Sequence, residues 1–415
     1  MAPLPEADLI IYNANVVLFE FRPVTRASQV KVLAGGEVAV KGNYIAKVGQ
    51  RGEVRGTYRA GLELNAGGRL LSPGLVDMHT HAVFAGSRDD ELEAKLSGVS
   101  YSEILRRGGG IYRTVRATRS ASDEELRDLL VKRLRLMLHL GTTTAEVKSG
   151  YSLDHEGELR LLRVAREASS TAKVDVVPTL LAHVPPEEAR EGRAREEYVK
   201  GFANDLVRRA AGLANFVDVF CDEGAFTPDE SRLILTSARA VGLGARAHAD
   251  QLARIGCAEA VAQAGPASVD HLEVSDERSV KAIAASRSTA GLLPASLMAT
   301  MGSSRPPVPL LRAYGVPMAL GSDLSANSVM PSMQTAIDLA IYLYGLTQAE
   351  ALAAATVNAA LSLGLSDRGS VEAGKLADLV VWDLERVSEL GYDWGRDRAL
   401  VVIRRGSAVK DLLNP

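Results

Sequence analysis

Two imidazoles stand one residue apart at His79 and His81, closing the stretch SPGLVDMHTH (72–81), and Arg88 follows seven residues further on. On a strand, residues i and i+2 share a face and lie about 7 Å apart at most, near enough to hold one ion between them. The pair therefore reads as half of a metal site. Of the chain's seven histidines, His183, His248 and His271 also end apolar, strand-like runs, and Asp323 ends another in LGSD. Three imidazoles and one carboxylate are an ordinary ligand set for zinc or iron, at about 2.1 Å, with a position left open for water or a substrate oxygen. His79, His81, His248 and Asp323 fill that set. An ion so held lowers the pKa of water from about 15.7 to about 7 and polarises a carbonyl, so hydrolysis near neutral pH is the expected chemistry. A second ion would need a bridging ligand. The segment CDEG (221–224) offers Glu223 but no lysine that could be carboxylated, and Lys148 reads as a solvated or supporting residue. One divalent or trivalent ion, zinc or iron, is expected. His139 and His155 read as structural.

Positioning these residues requires elements that end on one rim. From residue 72 to 360 apolar runs alternate with amphipathic helical stretches, the pattern of a parallel sheet with covering helices. Eight strand candidates can be counted: LLSPGLVD, TTTAEVKS, KVDVVPTLLAH, NFVDVFCDEG, LGARAHAD, ASVDHLE, TAGLLPAS and VPMALGSD. Between the first two, Ser122 and Glu125 form a capping-box pattern, Leu126, Leu130, Leu134, Met137 and Leu138 recur at helical spacing, and Gly141 stands where a C-terminal cap belongs. Eight strands with intervening helices predict an α/β fold, a (β/α)8 TIM-like barrel over 72–360 with its active site at the strands' C-terminal ends. Five histidines and Asp323 then fall on that rim. Short β-type runs at 1–71 and 361–415 predict one small β-sandwich domain built from both termini.

Composition narrows the partners. A net charge of -3, from 48 basic and 51 acidic residues, gives no footprint for nucleic acid or an anionic membrane. No signal-peptide pattern and no apolar stretch of about 18 residues is present. Cys221 and Cys257 are too few and too unpatterned for a disulfide framework or a thiolate zinc cage, which fits a reducing cytosol. A soluble cytoplasmic protein acting on a small molecule is expected.

At these residues the chain resembles a known family. PGLVDMHTH behind a small β domain, with histidines ending strands 5 and 6 and an aspartate ending strand 8, looks like the amidohydrolase superfamily. Within it, the run from His79 to Ser122, together with EVKSGYSLD, LLAHVPP and AHADQL, closely resembles the imidazolonepropionase family. Members open a cyclic amide, 4-imidazolone-5-propanoate, to N-formimino-L-glutamate in histidine degradation. The resemblance implies metal ligands at His79, His81, His248 and Asp323, substrate or product contacts at Arg88, Tyr151, His183 and Gln251, and a homodimer. An arginine's planar fork suits the propionate carboxylate, and His183 can donate to a ring or carboxylate oxygen.

Two positions depart from the family pattern. Some members carry glutamate at Gln251; glutamine cannot take a proton, so base duty passes to Asp323, with His271 polarising the carbonyl or stabilising the oxyanion. After the strand 8 aspartate the family reads Asp-x-Asn-Pro, whereas this chain reads DLSANSV, with Ser325 at the asparagine position and Asn327 two residues later. Either Asn327 supplies the missing contact or the substrate places its polar groups differently. The alternative function is a related cyclic amide hydrolase or amidine deaminase, which shares the ligands but needs no arginine for a propionate.

Overall fold

In a computed structural model, which describes residues 4–99, 103–104 and 108–413, eight strands run parallel in sequential order. They are β1 (Leu75–Asp77), β2 (Thr142–Lys148), β3 (Asp175–Ala182), β4 (Phe216–Cys221), β5 (Gly244–Ala249), β6 (Ser268–His271), β7 (Thr289–Leu292) and β8 (Met318–Leu320). Their side chains are buried on both faces, as strands between helices and a barrel interior must be. The sheet closes just beyond the strand ends. Asp323 N–H donates to His79 O at 3.1 Å, His81 N–H donates to Leu324 O at 2.8 Å, and Thr80 bridges Leu324 in parallel. Asp77 reinforces this seam, its Oδ1 accepting from Ser322 N–H at 2.9 Å.

The helices follow the apolar periodicity. Leu126, Leu130, Leu134, Met137 and Leu138 are the buried stripe of Asp123–His139. Ser122 accepts from Glu125 N–H at 3.1 Å, which is one half of the expected capping box. The predicted first strand LLSPGLVD is in fact two strands of two sheets. Leu70–Pro73 pairs with Asn15–Val16 and Leu379–Val381, whereas Leu75–Asp77 is β1. The break is at Gly74, where a Cβ would lie 2.4 Å from Thr143 Oγ1, so the backbone passes β2 more closely than any side chain allows.

Both chain ends build the second sheet, eight strands with Glu6–Leu18 near its centre and Leu379–Trp382, Ala399–Arg404 and Ser407–Asp411 from the C-terminal end. Alternate residues Leu9, Ile11, Val38, Val40, Leu379, Val381, Val401 and Ile403 share one core. Asp175, opening β3, accepts from Arg368 and Arg404 at 2.6 Å and from Arg405 at 2.9 Å, which fastens the base of the barrel to this sheet.

One expectation is overturned. Cys221 and Cys257 form a disulfide, with Cα atoms 5.6 Å apart. They are 36 residues apart in sequence, so no spacing pattern announces the pair, yet the end of β4 lies against the first turn of the helix Cys257–Ala262 that follows β5. Among the described residues no helix is long and apolar enough to cross a membrane.

Candidate active site

The barrel seam carries His79 and His81, and β5 carries His248. Their Nε2 atoms converge, His81 lying 3.3 Å from His79 and 3.2 Å from His248. Asp323 Oδ1 lies 3.4 Å from His81 Nε2 and 3.7 Å from His79 Nε2. Ligands of a tetrahedral ion at about 2.0–2.1 Å are about 3.3–3.4 Å from one another, so these donors have the spacing of one coordination sphere.

The far side of two rings fixes the tautomer. His79 Nδ1 donates to Asp270 Oδ2 at 2.8 Å, and His248 Nδ1 donates to Asp218 Oδ1 at 2.9 Å. With Nδ1 protonated, each Nε2 lone pair faces the shared centre, an arrangement that suits a cation and little else. His81 Nδ1 is buried without a hydrogen-bond partner among the described residues. Burial drives the His79 and His81 pKa values well below the ordinary imidazole value, and burial brings His248 to about 4, so all three are neutral at pH 7. Neutral imidazole is the form that binds metal.

The supporting carboxylates have their own counter-charges. Arg246 Nη2 donates to Asp270 at 3.1 Å, and Lys148 Nζ donates to Asp218 at 2.6 Å and to Glu146 at 2.7 Å. Lys148 is fully buried, so of the two readings offered by the sequence, solvated or supporting, it is the supporting one that its position fits. Burial alone would lower its pKa, but Asp218 and Glu146 outweigh it and raise the value, so it is an ammonium.

Above this floor lies a cavity of about 460 Å³ whose lining includes every residue selected from the sequence except His79, which is buried beneath it. His271 and Asp323 both have left-handed backbone, at φ 79° and 51°, as does Leu272 at φ 71°. Such backbone is unfavourable for these residue types and is held by its surroundings. Burial would lower the His271 pKa, but Glu273 outweighs it and raises it; burial raises Asp323. His183 Nδ1 donates to Gly150 O at 3.0 Å, and burial brings its pKa to about 4. Its Nε2 therefore carries no proton at pH 7. It can accept from a ring N–H, which corrects the expectation that it donates.

Buried carboxylates also hold the rim. Arg88 Nε and Nη2 each approach Glu91 Oε2 at 2.8 Å. Glu158 accepts from Ser152 N–H at 2.8 Å and Leu153 N–H at 2.7 Å, which fixes the loop bearing Tyr151. Asp222 accepts from Gln251 N–H at 2.9 Å, Leu252 N–H at 2.8 Å and Ala253 N–H at 2.9 Å, while Gln251 Nε2 donates to Ser296 Oγ at 3.2 Å. Asn327 Oδ1 accepts from Lys95 Nζ at 2.6 Å and faces Arg88 Nη2 at 3.5 Å. Asn327 and Ser325 both line the cavity, and the Ser325 backbone is tied in a turn to Ser328. Glu223 is exposed, and His155 pairs with Asp205 at 3.1 Å away from the site. Sequence reasoning missed Lys95, Glu91, Asp218, Asp270 and Arg246. The signal available for three of them is a charged residue inside an apolar strand, as in FVDVF, SVDH and ARAHA.

A parallel barrel whose rim gathers three neutral imidazoles and a carboxylate on the floor of a cavity is the architecture of a metal-dependent hydrolase. The chain belongs to the amidohydrolase family, whose model matches residues 70–409. Within that family its relatives are imidazolonepropionases. That of Pyrobaculum arsenaticum is 44% identical over 97% of this chain and the whole of the relative, and that of Shewanella sp. (strain MR-4) is 41% identical over 91% and 93%. Solved structures share the fold at lower identity. An adenosine deaminase from Xanthomonas campestris with bound zinc has a TM-score of 0.73 at 21% identity, covering 99% of this chain and 94% of its own. A 5-methylcytosine deaminase from Klebsiella pneumoniae has a TM-score of 0.74 at 19%, covering 97% of each. The protein is a hydrolase acting on C–N bonds and takes a divalent metal.

Proposed function

We propose that the chain hydrolyses the ring amide of 4-imidazolone-5-propanoate to N-formimino-L-glutamate in histidine degradation, as a cytoplasmic homodimer. The observation that carries this reading is a cavity with a metal ligand set on its floor and two cations, Arg88 and Lys95, on its wall. His79, His81, His248 and Asp323 would hold one ion, zinc or iron, and that ion supplies water activation and carbonyl polarisation. The remaining work falls to side chains. Asp323 takes the proton from water and passes it to the ring nitrogen as the C–N bond breaks. His271, beside Glu273, polarises the carbonyl or stabilises the oxyanion. His183 Nε2 accepts a ring N–H, Gln251 orients the ring, and Arg88 with Tyr151 receives the propionate carboxylate. Ser325 and Asn327 line the wall beside Lys95.

The test is an assay of the purified, metal-loaded protein with freshly generated imidazolone propionate, following loss of the ring's ultraviolet absorbance. Turnover with about one metal equivalent per chain is expected. An absence of turnover by fully loaded protein would overturn the substrate assignment.

A further inference from the structure

We infer that Lys148 is a positioning residue of the metal site, its ammonium joining the two halves of the histidine triplet. The inference rests on His79, His81 and His248 being the ligands. Those halves belong to strands that are not neighbours, since β2, β3 and β4 separate β1 from β5. What spans the gap is a chain of side chains. Lys148 Nζ lies 2.6 Å from Asp218 Oδ2, and Asp218 Oδ1 accepts from His248 Nδ1 at 2.9 Å. On its other side Nζ lies 2.7 Å from Glu146 Oε1, and Glu146 Oε2 accepts from Thr80 N–H at 3.1 Å. Thr80 is the residue between His79 and His81. It is held at two further points: Lys148 N–H donates to Thr80 O at 3.0 Å, and Thr80 Oγ1 donates to Glu146 O at 2.6 Å.

A single ammonium is thus the donor shared by a path from Thr80 through Glu146 and Asp218 to His248. Thr80, Glu146, Lys148 and Asp218 have no exposed surface, so the path is shut off from bulk solvent. Without the ammonium, two buried carboxylates lose their hydrogen-bonded counter-charge and their common donor, and each keeps only its bond toward the ligand side, Asp218 to His248 and Glu146 to Thr80. Asp218 then holds the ring of His248, and Glu146 the turn between His79 and His81, with nothing fixing one carboxylate relative to the other. Removing such outer partners of ligating histidines weakens metal binding about 10- to 100-fold.

The test uses the full chain stripped of metal and reloaded with Co²⁺. Affinity is measured by competition with a chromophoric chelator, and coordination geometry by the visible d–d band. Lys148→Met is expected to bind Co²⁺ about 10- to 100-fold more weakly and to change the band's intensity and position. The double variant Lys148→Met/Glu146→Gln removes one unpaired charge, retains a group that can accept from Thr80, and gives the same readout if the single variant does not fold. His248→Ala, measured alongside, is expected to lose the site outright. A folded Lys148→Met or double variant with wild-type affinity and an unchanged band, while His248→Ala has lost the site, overturns the positioning role alone. Retention of the site by His248→Ala overturns the ligand assignment beneath it.

Discussion

Arg88 is tied to Glu91 by two of its nitrogens and still lines the cavity, so it is a guanidinium set in one orientation before any substrate arrives. Preorganisation of this kind lowers the entropy lost when a carboxylate docks. Arg88→Ala is expected to lower kcat/KM for imidazolone propionate about 10- to 100-fold, from roughly 1.5–3 kcal/mol for one charge-assisted partner. It should change little for an imidazolone lacking the carboxylate. Equal loss on both substrates would mean that Arg88 supports the rim through Glu91 and reads no carboxylate. A second pair of variants separates base from orienter. Gln251→Glu should retain measurable activity, since the side chain at 251 is anchored through its backbone to Asp222, whereas metal-loaded Asp323→Asn should lose activity by several orders of magnitude. Near wild-type turnover by metal-loaded Asp323→Asn would place the base elsewhere. The rim histidines are legible in the sequence because each ends an apolar run. Asp218 and Asp270 are not, because their partners His248 and His79 lie 30 and 191 residues away and only the barrel order brings them together.

At the scale of the element, the loops after β2 and β5 are organised around single buried acceptors. Asp222 gathers three successive backbone N–H groups, and the disulfide fastens the far end of the same loop at Cys257. The segment from Gln251 to Cys257 is therefore held at both ends. Asp222→Asn leaves one oxygen where two accept, and is expected to raise KM about tenfold, the effect of about 1.4 kcal/mol, while Co²⁺ affinity stays at the wild-type value. A KM unchanged by the substitution would show that the disulfide alone holds the loop. Strand and helix positions are legible in the sequence through their periodicity, as in Asp123–His139. The loop restraints are not, since an acceptor of backbone N–H groups needs no particular residue at the donor positions. The split of LLSPGLVD at Gly74 escapes periodicity for a similar reason: both halves are apolar, and only the approach of Thr143 separates them.

Across the whole molecule, Asp175 joins the barrel base to the terminal sheet through Arg368, Arg404 and Arg405. Burial raises its pKa but the arginines outweigh burial, so the value falls below the ordinary 3.8. A depressed carboxylate contributes stability that is complete above the unfolded value and is lost as pH falls through the folded one. Asp175→Asn is therefore expected to destabilise the protein at pH 7 by on the order of 3 kcal/mol, and the difference from wild type should shrink below about pH 4. Denaturant unfolding at a series of pH values measures it; a difference that persists undiminished below that range would assign the effect to packing. That both termini share one sheet is legible in the similar β texture of the two ends, but the three-arginine clamp is assembled from residues 368, 404 and 405 against a strand start near residue 175 and has no local signature.

The barrel's seam and its metal donors are the same few residues, since Asp323 N–H donates to His79 O and His81 N–H to Leu324 O. A bound ion would then act as a latch on the one edge-to-edge closure that lacks a regular ladder. Native-state amide exchange should reveal it. With metal removed by a chelator, the amides of His81, Ser322 and Asp323 are expected to exchange faster by at least tenfold, while those within β4 and β5, paired on both sides, keep their protection. Uniform acceleration across the barrel would show that the ion stabilises the fold as one unit; unequal acceleration at the seam makes the protein a cylinder whose opening is governed by its own reaction centre.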